Sequence, residues 1–251
     1  MSAGKSTTYL RAVATLLLAV SDEQPSELEQ AGSMMARTIE QGGLVHLFGS
    51  GHSMLPVLEV FPRYGSFVGL HPLVDPRLMW FNVLGSGGVP EMLFLQTVEG
   101  YATVFLDGQG LRTGDVLIVF SHSGTSVVAV EAATYAKERG LDVIAVLSRD
   151  AADSPSRHSS GETLDSLADL RIDTLAPRAD ALVDVEGLSE PVGAASTVVA
   201  TAIALAMVTS CAARLASSGH AIVQSAREEA DEHVAYRSVY EAYEQSLRRP
   251  A

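Results

Sequence analysis

The sequence predicts an α/β fold in which helices flank a parallel sheet, and two observations support this. Short apolar runs recur along the chain, and most of them are separated by stretches long enough for a crossover helix. The runs are apolar at nearly every residue, which indicates strands buried on both faces of a parallel sheet. The chain has 251 residues and is 47% hydrophobic, so it can bury a sizeable core without dividing. We therefore expect one domain over residues 1–251.

The elements follow in chain order. Helical patterns over about 7–20 and 25–41 form an N-terminal helical region, 1–42, and the second pattern ends at Gly42 and Gly43. The predicted strands are LVHLF (44–48), SFVGL (66–70), VLIVF (116–120), VIAVL (143–147) and ALVDV (181–185). The polar, serine-rich stretch 149–162 predicts a mobile loop beside the strand ends. An uncharged run over 191–213 predicts a buried helix within a C-terminal helical segment, 192–251.

Composition limits the possible partners and location. The formal net charge of −13 argues against a surface built for nucleic acid or anionic lipid, since both need excess Lys and Arg. Cys211 is the single cysteine and is expected to be a small core residue, so a reducing, cytoplasmic setting is predicted. The apolar runs 12–20 and 191–213 are interpreted as helices of the fold, with no signal peptide and no membrane span. No spacing of His, Cys and carboxylates suggests a metal site.

Two strand-to-helix junctions are rich in small residues: FGSGHS at 48–53 and SHSGTS at 121–126. In open α/β sheets, ligands bind at the carboxyl ends of the strands. Glycine allows close backbone approach, and the first amides of the following helix carry a partial positive charge. The hydroxyls of Ser121, Ser123, Thr125 and Ser126 add donors, so the second junction predicts a phosphate site. The alternative is that these residues only cap the helix and form the turn.

At these junctions the chain resembles the SIS (sugar isomerase) domain proteins, which bind phosphosugars on a five-stranded parallel sheet flanked by helices. The resemblance is strongest to phosphoheptose-isomerase-like members. It is carried by GGLVHLFGSGHSMLPVLEVFPRYG, HPLVDPRLM, VEGYA, GDVLIVFSHSG and HSSG. The resemblance implies a flavodoxin-like three-layer α/β/α fold and no cofactor.

The resemblance also implies binding residues. The serine- and threonine-rich loop would contact phosphate through Ser121, Ser123 and Ser126, with the backbone near His122 and Gly124. The first glycine-rich loop would contact sugar or phosphate through Ser50, Gly51, His52 and Ser53.

Glu99 is the first candidate for the catalytic base. The VEG stretch at 98–100 is similar to that of the N-acetylmuramic acid 6-phosphate etherases, whose glutamate is implicated in proton transfer. A carboxylate suits removal of a proton beside a masked carbonyl, provided that burial raises its pKa toward neutrality. The alternative is a solvated helix glutamate. The chain shows no evident match to the etherase's other catalytic glutamate or to its lactyl-recognising features.

Four further side chains are candidates. Glu59 follows the first loop by about two helical turns, and a salt bridge with Arg63 is the alternative interpretation. His52 would donate to a ring oxygen, and His158 would close over the ligand from the 149–162 loop. In several SIS enzymes a C-terminal histidine reaches a site shared with a neighbouring subunit, which implies that role for His220; a surface-loop histidine is the alternative.

Three classes of function remain: a phosphosugar enzyme, a phosphosugar sensor and a structural subunit. Glu99 together with His52 favours an enzyme that abstracts the C2 proton of an N-acetylhexosamine 6-phosphate and eliminates the C3 substituent. The alternatives are an aldose–ketose phosphosugar isomerase and a non-catalytic sensor. The uncharged 192–213 helix, rich in small residues, predicts a homodimer or a dimer of dimers with sites shared between subunits.

Overall fold

The computed structural model describes residues 4–224 and 232–248. Its centre is a five-stranded, all-parallel sheet in the order β2-β1-β3-β4-β5, the strand order of flavodoxin-like folds. The strands are β1 (Val45–Gly49), β2 (Leu70–Pro72), β3 (Val116–Phe120), β4 (Asp142–Leu147) and β5 (Leu170–Asp173). All residues of β1 and β3 are buried, as their unbroken apolar sequences predict.

Helices form a layer on each side of the sheet. They are α1 (Lys5–Glu23), α2 (Pro25–Glu40), α3 (Met54–Val60), α4 (Val89–Leu95), α5 (Tyr101–Asp107), α6 (Val127–Glu138), α7 (Arg149–Ala152), α8 (Leu164–Leu167), α9 (Ser196–Ser217) and α10 (Glu232–Leu247). In one layer α2 and α3 pack on α9, and in the other α5 and α8 pack on α6. The two predicted N-terminal helices are confirmed as α1 and α2.

Two of the predicted strands are corrected. The run 66–70 is mostly not strand: β2 begins at Leu70, and Phe67 instead forms an antiparallel bridge with Gln224 at the sheet edge. The run 181–185 is not the fifth strand, because Val183 forms only an isolated antiparallel bridge with Val192. The true β5 lies at the opposite edge of the sheet, where Arg171 points outward, so its sequence LRID lacks an apolar run.

The predicted buried helix near the C-terminus is α9, which is long and apolar enough to cross a membrane by length and composition alone. Here it is a core helix, with Val199, Ile203, Met207 and Cys211 among its buried residues. Its approach to α2 is very close, since a Cβ added at Gly32 would lie 2.6 Å from Cβ of Ser210. Cys211 is fully buried, which confirms the sequence prediction, and burial raises the pKa of its thiol to about 12.

Candidate functional site

The carboxyl ends of β1, β3 and β4 meet the N-terminus of α9 at a narrow crevice with an accessible volume of about 10 Å³, which is room for about one water molecule. It is lined by Ser53, Phe120, Ser121, His122, Val146, Thr174, Ser196, Thr197 and Ala200. Most of the polar atoms in this lining are hydroxyls, and no carboxylate is among them. The structure therefore brings Ser53 of the first predicted loop together with Ser121 and His122 of the second.

The 121–126 loop presents the N-terminus of α6 without a cap. Ser126 occupies the N-cap position in an extended conformation, but its side chain makes no capping hydrogen bond. Within the loop, the hydroxyl of Ser121 accepts from the Gly124 amide at 3.1 Å, and the hydroxyls of Ser123 and Thr125 lie 2.9 Å apart. The Ala129 amide already donates to the Ser126 carbonyl at 3.1 Å, which leaves the Val127 and Val128 amides at the start of α6 for an anion.

The N-terminus of α9, by contrast, is already occupied by a carboxylate. Asp180 accepts hydrogen bonds from the amides of Ala195 and Ser196 and from the Ser196 hydroxyl, at 3.0, 2.7 and 2.7 Å. This negative charge complements the helix dipole, so the helix end offers little further attraction to a second anion. The N-termini of α3 and α6 carry no such side-chain cap.

His122 has one nitrogen committed and one uncommitted. Its Nε2 lies 3.2 Å from the carbonyl oxygen of Arg178, which fixes Nε2 as the donor. Its Nδ1 is buried and has no hydrogen-bond partner within residues 4–224 and 232–248. In this tautomer Nδ1 is an acceptor, so the ring can receive one hydrogen bond from a hydroxyl donor.

The first loop, residues 50–53, forms a single 3₁₀ turn after β1. Gly51 adopts a positive φ of 60°, and a Cβ there would lie 3.5 Å from Met92. His52 is exposed and contacts the Trp80 ring edge-on at a centroid distance of 4.5 Å. The Ser50 hydroxyl lies 3.5 Å from Gln96 Oε1. Residues 80–96 therefore form a wall beside the sugar-binding loop that the sequence predicts.

The predicted mobile loop and the residues just after it are attached to the 121–126 loop at two points. The Arg157 amide donates to the Thr125 carbonyl at 3.0 Å, and the Leu164 amide donates to the Gly124 carbonyl at 2.8 Å. Between these points, His158 Nε2 lies 3.9 Å from Glu131 Oε1, and its Nδ1 lies 2.8 Å from the Ser160 hydroxyl. The residues of HSSG are thus held over the start of α6.

Glu99 contacts this same segment. Its two carboxylate oxygens accept from the Ser159 amide at 2.6 Å and from the Ser159 hydroxyl at 2.7 Å. Both hydrogen bonds lower the pKa of Glu99 below its ordinary value of 4.5, and the bond from the Ser159 hydroxyl has the larger effect. Glu99 is also exposed, so in this conformation it lacks the burial that would raise its pKa toward neutrality.

None of the four catalytic candidates, Glu99, His52, Glu59 and His220, is among the residues that line the crevice. Glu59 forms an ion pair with Arg63, which was the alternative interpretation of that residue. His220 follows the C-terminal end of α9, whereas the crevice lies at its N-terminal end, about 30 Å away along a 22-residue helix. A role for His220 therefore requires a neighbouring subunit and stays a prediction.

Several polar residues of the site were not predicted from sequence. Glu131 lies buried in α6, where its carboxylate accepts from the amides of Gly100 and Ala102 and so orients the loop that carries Glu99. Thr174 and Thr197 line the crevice, and Asp180 caps α9. The one available signal was the Ser-Thr pair at 196–197, because hydroxyl residues are typical at the start of a helix.

The chain belongs to the SIS domain family, whose pattern it matches over residues 8–148. This stretch includes β1 to β4 and both polar loops. Among its relatives, a UPF0309 protein of Halalkalibacterium halodurans is 37% identical over 215 residues, which cover 85% of this chain and 84% of the relative. A UPF0309 protein of Streptomyces coelicolor is 36% identical over 216 residues, covering 84% and 83%.

Solved structures with this fold include two phosphoheptose isomerases. The one from Francisella tularensis has a TM-score of 0.53 at 16% identity, over 82% of this chain and 96% of that protein. The one from Neisseria gonorrhoeae has a TM-score of 0.53 at 17% identity, over 83% and 95%. At these identities the likeness confirms the predicted SIS fold.

Proposed function

We propose that this protein is a phosphosugar enzyme that binds the phosphate of its substrate on the 121–126 loop. The observation that carries this proposal is the open N-terminus of α6 beside a crevice lined by hydroxyls rather than carboxylates. In a chain of net charge −13, such a site offers an anion local attraction. Membership of the SIS family and the fold shared with phosphoheptose isomerases support the same ligand class.

The sugar would extend from the phosphate toward the first loop. Ser53 lines the crevice directly, and His52 and Ser50 stand beside it against Trp80 and Gln96. His122 Nδ1 would accept from a sugar hydroxyl, which would satisfy its buried lone pair. His158 would cover the ligand from the segment that is attached to the phosphate loop.

The reaction begins with removal of the C2 proton from the open-chain sugar, and we assign this step to Glu99. The carboxylate has a lowered pKa while Ser159 holds it, so it is ionised but a weak base. Release of Ser159 when the 153–163 segment repositions over a ligand would return the Glu99 pKa toward its ordinary range. Glu131 is the less suitable base because the amides of Gly100 and Ala102 already occupy its oxygens.

The substituent at C2 decides the product. With an N-acetyl group at C2, enolisation leads to loss of the C3 substituent, so an N-acetylhexosamine 6-phosphate would undergo elimination. With a hydroxyl at C2, the enediol is reprotonated at C1 to give a ketose, which is the isomerase alternative that the shared fold favours. Elimination and isomerisation begin with the same proton abstraction, which a non-catalytic sensor would not carry out.

The phosphate assignment is tested by Ser123→Ala. Loss of a hydrogen bond to a charged group costs about 1.5 to 3 kcal/mol, so affinity for N-acetylglucosamine 6-phosphate should fall about 10- to 150-fold. Affinity for N-acetylglucosamine should change little. Ser33→Ala on α2, where the hydroxyl donates to the Glu29 carbonyl, is the matched control. Equal weakening of both sugars by Ser123→Ala would contradict the assignment.

The reaction is tested by incubation in D₂O with N-acetylglucosamine 6-phosphate and, separately, with heptose and hexose phosphates. A product lighter by one water indicates elimination, and a ketose with deuterium at the carbon that is reprotonated indicates isomerisation. Tight binding without deuterium exchange or product indicates a sensor. Glu99→Gln should abolish exchange at C2; an unchanged exchange rate would show that another residue is the base.

A further inference from the structure

Arg157 differs from the other arginines near the carboxyl ends of the last two strands. Residues 149–178 contain four arginines and six carboxylates. Three of these arginines pair with an aspartate: Arg149 with Asp173, Arg171 with Asp165 and Arg178 with Asp153. The Arg157 side chain is exposed and makes no hydrogen bond or ion pair within residues 4–224 and 232–248. Since carboxylates outnumber arginines here, a shortage of partners does not explain why Arg157 is left unpaired.

The backbone holds Arg157 against the 121–126 loop. Its amide donates to the carbonyl of Thr125, which directly precedes the N-cap residue of α6, at 3.0 Å. The other end of the same stretch is tied to the same loop through the Leu164 amide. We call residues 157–164 the covering segment. Because its first residue is anchored, Arg157 stays beside the start of α6, and its long side chain can reach the two free amides there.

The phosphate proposed for this loop needs more positive charge than the helix end supplies. A phosphate monoester carries a charge of about −1.5 to −2 at pH 7, whereas a helix N-terminus is equivalent to about +0.5. The hydroxyls of Ser121, Ser123 and Ser126 donate hydrogen bonds without adding charge. The His158 ring adds none in this geometry, because the Ser160 amide donates to its Nδ1 at 3.1 Å and only an unprotonated nitrogen accepts.

We propose that Arg157 binds the substrate phosphate together with the 121–126 loop, as a further specificity-determining residue. Its planar guanidinium can donate two parallel hydrogen bonds to phosphate oxygens while the Val127 and Val128 amides bind the others. This role rests on the function proposed above. It adds that preference for phosphorylated over neutral sugars comes from a charge on the covering segment as well as from hydroxyls. The alternative is a solvated arginine that only offsets the acidic surface.

The test is isothermal titration calorimetry with N-acetylglucosamine 6-phosphate and, separately, with inorganic phosphate. Arg157→Gln should weaken the binding of both at least about 10-fold, because it removes a charged donor. Arg157→Lys keeps the charge but loses the planar fork, so its affinities should be intermediate. Affinity for N-acetylglucosamine should stay within about twofold, since the neutral sugar has no phosphate to bind.

Arg37→Gln is the matched control. Arg37 is also exposed, and it too has no hydrogen bond or ion pair from its side chain in the part of the chain that the structure describes. It lies near the C-terminal end of α2, beside Ser217 and Ser218 at the end of α9 that is remote from the crevice. This control should leave the affinity for both ligands unchanged. Far-UV circular dichroism establishes that each variant is folded, and Arg157→Ala replaces Arg157→Gln if the latter misfolds.

Salt dependence gives a readout that a purely structural effect would not move. An increase in ionic strength from about 0.05 to about 0.5 M should weaken phosphate binding more in the unmodified protein than in Arg157→Gln, because screening acts on the charge that the substitution removes. An identical salt dependence in the two proteins would contradict a direct contact between Arg157 and phosphate.

The two proposals fail in distinguishable ways. If Ser123→Ala weakens N-acetylglucosamine 6-phosphate and Arg157→Gln does not, the role of Arg157 is wrong and the assignment of the 121–126 loop is unaffected. If the unmodified protein binds neither inorganic phosphate nor any of the sugar phosphates named above, both proposals are wrong. Equal weakening by Arg157→Gln and Arg37→Gln would also overturn the role of Arg157, because the effect would then reflect overall charge.

Discussion

Replacement of Gly124 by alanine should destabilise the fold at the 121–126 loop. Gly124 has a φ of +67°, in the left-handed region where a side chain is strained. A Cβ at this position would also lie 3.1 Å from Leu147 Cδ2 and 3.3 Å from Leu164 Cβ, and both leucines are fully buried. The substitution therefore combines backbone strain with crowding of the core.

The two effects can be separated in magnitude. Left-handed backbone costs an alanine about 1 to 2 kcal/mol, while the reduced freedom of the unfolded chain offsets about 0.4 to 1 kcal/mol. Crowding of a well-packed core adds about 1 to 3 kcal/mol. We use the lower half of this range, about 1 to 2 kcal/mol, because Leu147 need move only a few tenths of an ångström. We expect Gly124→Ala to lower the free energy of unfolding by about 1 to 3.5 kcal/mol, with a central value of about 2 kcal/mol.

Gly161→Ala is the matched control, because Gly161 has a φ of +78° and no atom within 4 Å of its Cβ position. It should cost about 1 kcal/mol or less, since it carries only the strain. Urea unfolding followed by circular dichroism measures both values. If the two variants differ by less than about 0.5 kcal/mol, the crowding argument is wrong.

Two further results are expected. Because the pKa of Glu99 is lowered in the folded protein, its contact with Ser159 is present above the ordinary pKa of 4.5 and is lost as pH falls through the lower folded value. Hydrogen exchange at the Ser159 amide should thus accelerate only below that pH. The substitution Glu99→Ala should accelerate the same exchange at neutral pH, and an amide that stays protected after the substitution would contradict this contact. The Cys211 thiol, with a pKa of about 12, should resist an aromatic disulfide reagent at mildly alkaline pH in the native protein and react on unfolding; rapid reaction of the native protein would show that Cys211 is not buried in the core.

The central strands were predictable because burial on both faces is recorded directly in sequence. β1, β3 and β4 are almost wholly apolar, and their predicted boundaries differ from the observed ones by one residue at most. The edge strands were not predictable in this way. β5 exposes Arg171 to an ion pair with Asp165, and β2 is only three residues long, so neither carries an unbroken apolar run.

The sequence by itself determined the fold class and the positions of the two polar loops, because strand burial and glycine- and serine-rich turns are local properties of the chain. Tertiary structure alone decided which side chains share the crevice and which charges are already satisfied. Asp180 reaches α9 across 16 residues, Glu131 holds the Gly100 amide from 31 residues away, and Glu99 meets Ser159 across 60. Such contacts depend on how the elements pack, and packing sets both the pKa of Glu99 and the freedom of the α6 N-terminus to bind an anion.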